Sequence, residues 1–239
     1  MRMSSLLLYW DYNRMATFTD DTLTLYKGDF REIIKDLEYD YVLTDPPYNI
    51  NYKYPDYEDK MDENEYINMF SHFQGVKTII IHYPEAIVNY ICEGIGRVSK
   101  LIAWCYSNNG SAKAHRSIAF FNCSPDFNKV KQPYKNTNDK RIKKLIENGS
   151  EGARMYDWFN DIQMIKNVSK EKISSFTNQI PIKLLERILL MTTSQGDTIL
   201  DPFFGSGSLY FACKNTGRKC IGIEQSQQHI DSFMERNAN

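Results

Sequence analysis

With 239 residues and a mass of 28.0 kDa, the chain is long enough for one large α/β domain with a substantial core and a small insert. A hydrophobic content of 42% excludes extensive disorder, and a formal charge of -1 excludes a wholly basic nucleic-acid binder. The charge is uneven: residues 1–65 carry 7 Lys/Arg against 15 Asp/Glu, and residues 113–172 carry 13 against 7, so one face is expected to meet something anionic, scattered solvated charges being the plainer alternative.

Leu6-Leu7-Leu8 is too short an apolar core for a signal or membrane segment. Thr22-Leu23-Thr24-Leu25-Tyr26 alternates as a strand, and Gly28-Asp29 breaks it. Asp29 is a suitable N-cap for a helix whose apolar positions are Ile33, Ile34 and Leu37. A second strand, Asp40-Tyr41-Val42-Leu43, runs into Thr44-Asp45-Pro46-Pro47-Tyr48-Asn49. Two consecutive prolines must end it, since neither donates to a ladder and Pro47 forces Pro46 to be extended.

Residues 49–62 form a long, polar, Tyr-rich loop with Tyr52, Tyr54 and Tyr57, a length that is usually functional or mobile. Glu63 to Gln74 reads as a helix, Lys77 to Tyr83 as a fully buried strand, and Pro84 as the start of another helix. Leu101 to Cys105 and Ser117 to Phe121 are further strands. Short apolar strands alternating with helices predict a mostly parallel sheet covered on both faces.

The pattern weakens over residues 122–176, where Lys129, Lys131, Lys135, Lys140, Arg141, Lys143 and Lys144 crowd together and Asp139 to Glu147 reads as a short basic helix. Tyr134, Tyr156, Trp158 and Phe159 interleave with them. Cations for phosphates and rings for unstacked bases are the ingredients of a nucleic-acid surface, although a solvated insert with its own small core would look similar. Pro181 then opens an amphipathic helix through Ile182, Leu184, Leu185, Ile188, Leu189 and Met191. Thr198-Ile199-Leu200 is a strand, residues from Leu209 a helix, Lys219 to Glu224 a strand, and residues 226–237 a last helix. Cys92, Cys105, Cys123, Cys213 and Cys220 lie in or beside apolar runs without C-x-x-C spacing, which reads as reduced buried thiols of a cytoplasmic protein and not a zinc site; no metal is expected.

Two turns carry chemistry. The first suits a flat ring bearing an amino group: Asp45 and the Pro46 carbonyl can accept its hydrogens and Tyr48 can stack on its face, against the bland reading of a Pro-Pro loop with a solvated acid. The second is Asp201-Pro202-Phe203-Phe204-Gly205-Ser206-Gly207-Ser208, between a strand and a helix, with Glu224 ending the next strand 17 residues after Gly207. Strand, glycine turn, helix, strand and acid form a half-Rossmann arrangement for an adenosine-bearing ligand: Gly205 and Gly207 admit it and Glu224 takes ribose hydroxyls. Asp201 close by would repel a pyrophosphate and welcome a sulfonium, which favours S-adenosylmethionine over NAD.

Together, Asp-Pro-Pro-Tyr at 45–48 and Asp-Pro-Phe-Phe-Gly-Ser-Gly-Ser at 201–208 resemble the amino-methylating DNA methyltransferases, with the catalytic motif first and the cofactor motif last as in their β class. The resemblance runs from Leu23 to about Phe233. It implies a single methyltransferase domain over residues 1–239 with a doubly wound, mostly parallel, Rossmann-like sheet, and a target-recognition insert at 122–176. It further implies S-adenosylmethionine as cofactor, DNA as partner, and transfer to the exocyclic amine of adenine in a flipped base, Asp at the first motif position favouring adenine over cytosine. Asp45, Pro46, Pro47 and Tyr48 would form the catalytic turn. Asp201, Pro202, Phe203, Gly205, Gly207 and Glu224 would hold the cofactor, with Asp29 and Phe30 at its adenine. The family's His-Pro-Thr-Gln-Lys-Pro-like segment is replaced by Phe176-Thr177-Asn178-Gln179-Ile180-Pro181, leaving Thr177, Asn178 and Gln179 as neutral donors for the cofactor carboxylate. The resemblance also implies a cytoplasmic setting in a bacterial or phage-infected cell, a cognate restriction nuclease and, because the insert is short, a homodimer. A cytosine N4 enzyme, an RNA adenine enzyme and a silent nucleic-acid-binding relative are the alternatives.

Overall fold

The computed structural model describes residues 16–52, 59–107, 113–166, 169, 171–173, 176 and 178–238. Its frame is a sheet in which β2 (Leu23–Lys27), β11 (Lys219–Glu224), β10 (Thr198–Asp201), β3 (Tyr41–Thr44) and β4 (Thr78–His82) are neighbours in that order and all parallel. β1 (Phe18–Thr19) pairs antiparallel with β2 at one edge. Beyond β4 the order is β6 (His115–Phe121), β5 (Val98–Cys105) and β9 (Trp158–Phe159). β6 is antiparallel to both of its neighbours. Only residues 106–114 separate β5 from β6, too few for the helical crossover that a parallel pair requires, so the chain returns as a hairpin.

The strands are apolar on both faces because helices cover both. Ile79 and Ile81 of β4 point into one cluster and Ile80 into the other; Leu43 and Val42 of β3, and Ile199 and Leu200 of β10, divide in the same way. The first cluster is closed by α5 (Ile182–Thr192), α6 (Ser208–Thr216) and α7 (Gln227–Asn237) through Leu184, Ile188, Leu209, Ile230 and Phe233. The second is closed by α1 (Phe30–Ile33, continued as one tight turn, Ile34–Asp36), α2 (Glu63–Ser71) and α3. The last runs through Pro84–Ala86, a wide π turn at Ile87–Ile91, and Cys92–Ile95. The doubly wound architecture expected from the sequence is the observed one.

The stretch 122–176 is less separate than its composition suggests. Met155, Phe159 and Ile162 join the main core, and β9 becomes an edge strand of the main sheet, so no satellite core is needed. What stands outside is a two-stranded ribbon, β7 (Lys131–Gln132) with β8 (Ala153–Arg154), and the basic helix α4 (Lys140–Glu147), capped by Asp139. Among the described residues, no helix is long and apolar enough to cross a membrane. All five cysteines are free thiols, with Cys213 and Cys220 buried.

Candidate active site

Chain connections diverge between β10 and β3: β3 leads through α2 to β4 on one side, and β10 leads through α6 to β11 on the other. Such a switch point leaves a crevice at the carboxyl ends of the strands, where α/β proteins bind ligands. Here a cavity of about 290 Å³ occupies it. The two turns singled out in the sequence meet across it. Thr44, at the end of β3, donates from Oγ1 to Asp201 Oδ1 at 2.6 Å, joining positions 157 residues apart.

On the β3 side, Asp45, Pro46, Pro47 and Tyr48 all line the cavity. The Tyr48 hydroxyl donates to Asp45 Oδ1 at 2.5 Å, and the Pro47 carbonyl accepts from the Tyr66 hydroxyl at 2.7 Å. Burial, then the Asp45 charge, pushes the Tyr48 phenol well up, so it stays protonated as the donor. The Tyr48 ring packs against His82 and Tyr83, with centroids at 4.6 Å and 5.2 Å, and is itself buried. His82 accepts from the Tyr83 backbone N–H through Nδ1 and meets the Tyr66 hydroxyl through Nε2 at 3.1 Å. Burial lowers its pKa to about 4, so it is a neutral strut. Behind the turn, Asp59 accepts from the backbone N–H groups of Asn49 and Ile50 at 2.8 Å and 3.1 Å, and Asn49 is paired both ways with the Met61 backbone. Tyr52 reaches the cavity; Tyr54 and Tyr57 lie outside the described residues.

On the β10 side, Asp201, Pro202, Phe203 and Gly205 line the cavity. Glu224, from β11, is fixed from two directions: Oε2 accepts from the Gly205 N–H at 2.8 Å and Oε1 from the Ser226 N–H at 2.9 Å. Gly207 is not among the residues that line the cavity. At its φ of +71° a Cβ would meet Phe233 Cδ2 at 2.4 Å, so this glycine makes room for the α7 aromatic that pins the turn. Asp29 caps α1 by accepting from the Arg31 N–H at 2.9 Å and also takes the Arg31 guanidinium. Burial works against its charge, but those bonds hold the carboxyl below its usual range. Phe30 packs edge-on against Phe203, with centroids 5.0 Å apart.

The replaced segment also reaches the cavity through Phe176, Asn178, Gln179 and Ile180. Gln179 is less available as a donor than expected: its amide oxygen accepts from Ile173 N and its nitrogen donates to the Glu171 carbonyl. Asn178 is exposed, and Thr177 lies outside the described residues. The cations of the insert stand away from the cavity lining. Lys129, Lys131, Lys135, Lys140, Arg141, Lys143 and Lys144 are all exposed. Lys135 Nζ lies 5.2 Å from the centroids of both Tyr156 and Trp158, which stack on each other. Arg141 pairs with its own helix cap, Asp139.

Two cavity acids are held protonated more readily than usual. Burial pushes Asp45 up to about 6 and Asp201 up to about 7, the latter with help from the charges of Asp45 and Glu224. An unfolded chain releases the Asp201 proton near pH 4. The folded protein therefore binds more protons between those values, and the contribution of Asp201 to stability is full below about pH 4 and is lost as pH rises through about 7. Asp201→Asn, of the same shape and unable to ionise, is expected to raise Tm over wild type at pH 8 but not at pH 4.5, as read by thermal denaturation.

The fold matches that of the solved PvuII DNA methyltransferase (cytosine-N4-specific), with a TM-score of 0.64 at 15% identity, covering 93% of this chain and 89% of that one. The chain belongs to the DNA methylase family of N6/N4 methyltransferases, whose model matches residues 68–235, a stretch beginning after the Asp45 turn. The fold is also similar to that of the M1.HpyAVI–SAM complex, with a TM-score of 0.60 at 20% identity over 91% of this chain and all of that one. In sequence it is similar to the Type II methyltransferase M.HpaI of Haemophilus parainfluenzae, 28% identical over 224 residues that cover 82% of this chain and 67% of that protein. The chain spans 55% to 67% of the length of the curated relatives it matches.

The residues that the sequence reading passed over are Arg116, His82, Tyr66 and Asp59, which support the turn from other elements. Only Arg116 carried a signal, as a lone charge at the head of the apolar run Ser117 to Phe121.

Proposed function

We propose that this protein is a DNA methyltransferase of the Type II restriction-modification kind that methylates the exocyclic amine of adenine in a flipped base. The observation that carries the reading is the Thr44–Asp201 hydrogen bond, which joins the amine-accepting turn to the cofactor turn across one acid-lined cavity. The cofactor is S-adenosylmethionine, and the donor set fits it. Glu224, already fixed by two backbone N–H groups, faces the cavity as a ribose acceptor; Phe30 and Phe203 supply an apolar wall; Asp201 and Asp45 line it with carboxyl groups whose ionised forms suit a sulfonium and not a pyrophosphate.

When bound, the cofactor supplies an electrophilic methyl group. The rest falls to the turn. An exocyclic amine is a poor nucleophile because its lone pair is delocalised into the ring. Asp45 and the Pro46 carbonyl accept its hydrogens, which favours a pyramidal nitrogen with a directed lone pair, and Asp45 is the acceptor for the proton released as the new N–C bond forms. Tyr48, donating to Asp45, and Tyr66, donating to the Pro47 carbonyl, set the turn before the base arrives, so little reorganisation remains. The exposed cations of α4 and the Lys135–Tyr156–Trp158 stack supply phosphate and base contacts on the DNA.

The choice of adenine rests on Asp45 at the first motif position. Cytosine N4 is the second reading, favoured by the similarity of the fold to a methyltransferase described as cytosine-N4-specific. Incubating the protein with unmethylated DNA and methyl-labelled S-adenosylmethionine, then hydrolysing the DNA for mass spectrometry, decides both points. N6-methyladenine is the expected product; N4-methylcytosine would move the reading to cytosine, and no label in DNA while the cofactor binds would remove the DNA substrate.

A further inference from the structure

One buried charge beside the turn has no part in the chemistry described so far. Arg116, on β6, has a side chain only 1% exposed, yet its Nε and Nη1 meet no hydrogen-bond acceptor among the described residues. Its guanidinium is caged by rings, 5.1 Å from the Tyr48 centroid, 5.7 Å from Tyr83 and 5.8 Å from Trp104. Its Nη1 stands 3.7 Å from Asp45 Oδ2. Ring faces and the Tyr106 hydroxyl offset only part of the desolvation of a cation, so a guanidinium with two nitrogens left this way points to a task beyond packing. We propose that Arg116 is a positioning residue for methyl transfer, acting on Asp45 and Tyr48 from behind the Pro-Pro turn; the proposal rests on the methyltransferase reading of this site.

The geometry divides the Asp45 carboxylate between two supports. Tyr48 donates to Oδ1 and Arg116 faces Oδ2, so the plane of the group is set by residues that do not touch the cofactor turn. The same guanidinium packs on the Tyr48 ring, and one side chain therefore steadies both members of the pair. Charge matters as much as orientation. A neutral carboxylic acid would offer the amine a proton where an acceptor is needed. Around Asp45 and Arg116 stand Tyr48 from the turn, Asp201 from the end of β10, His82 and Tyr83 at the end of β4, and Tyr106 after β5, with Lys113 over the outer ring of Tyr83. Burial favours the protonated form of Asp45; Arg116 is the strongest opposing influence, ahead of the Tyr48 hydrogen bond. Removing the cation should leave Asp45 protonated well into the neutral range.

The test is a carboxyl 13C NMR titration of the full-length protein, with the Asp45 resonance assigned from Asp45→Asn, in wild type, Arg116→Met and Arg116→Lys. The Asp45 midpoint is expected near 6 in wild type, higher by about one pH unit or more in R116M, and shifted back toward wild type in R116K. In parallel, kcat of R116M should fall about tenfold or more at pH 7 and recover as pH rises toward 9, with R116K restoring much of the acid limb and S-adenosylmethionine affinity little changed in either. An Asp45 midpoint that does not move in R116M, or a loss of kcat equal at every pH, overturns the proposal. If R116M does not fold, Arg116→Gln, which keeps a planar polar head without the charge, takes its place under the same criteria. The titration needs no turnover: if wild-type protein transfers no methyl to DNA, the proposed function fails while the coupling of Arg116 to Asp45 is still decided.

Discussion

Asp45→Ala is expected to reduce methyl transfer by about 10³-fold or more while S-adenosylmethionine binds with a Kd within about threefold of wild type. The asymmetry follows from where the residue stands. Asp45 is supported by Tyr48 and Arg116 and makes no hydrogen bond to the β10 turn or to Glu224, so its loss removes an acceptor for the amine without loosening the cofactor wall. An acceptor that counts mainly as charge shifts in the transition state lowers kcat and kcat/KM together. Single-turnover kinetics with labelled cofactor, set beside calorimetric titration of the cofactor, measure the two quantities separately. A large loss of cofactor affinity would mean that Asp45 belongs to the binding wall instead.

Glu224→Ala should behave in the opposite way, weakening S-adenosylmethionine binding by about 10²-fold, equivalent to ~3 kcal/mol, and costing stability as well. The carboxylate has two tasks in the structure. It faces the cavity, and it satisfies the N–H groups of Gly205 and Ser226 that shape the turn after β10 and the start of α7. Leaving those donors without a partner costs about 1–3 kcal/mol each where water cannot replace it. Glu224→Gln separates the two effects, since its amide oxygen can still serve one N–H but no longer offers two anionic acceptors to a ribose. Calorimetry on both variants, with Tm read alongside, tests the assignment; normal affinity in Glu224→Ala would take the residue out of the site.

Much of the fold was legible because its signals are local. Buried strands announced themselves as apolar runs with breakers at their ends, as in Thr78 to Ile81, and the helices by apolar periodicity, as in Ile182 to Met191. Asp29, Asp139 and Pro84 marked helix starts because capping chemistry is read within a few residues. The hairpin return of β6 was missed: its sequence is as apolar as that of a parallel strand, and direction is decided by what the linker can span. Charge dominates the composition of the insert, while Met155, Phe159 and Ile162, which tie it to the main core, are few and scattered.

By itself, the sequence determined that a stiff Asp-Pro-Pro-Tyr turn ends one buried strand, that a glycine turn ends another, and that an acid closes the strand after it, since each depends on backbone sterics within a short window. Only the tertiary structure decided that the first two turns are neighbours. Sheet order placed β10 beside β3 and brought Thr44 against Asp201, 157 residues further along the chain. It also decided what stands behind the chemistry: Arg116, Tyr66 and His82 arrive from β6, α2 and β4 and meet the turn only once the sheet has formed. Gly207 shows the same division at one residue. Its identity pointed to a close approach of the ligand, and the packing of Phe233 against it explains why a side chain cannot be there.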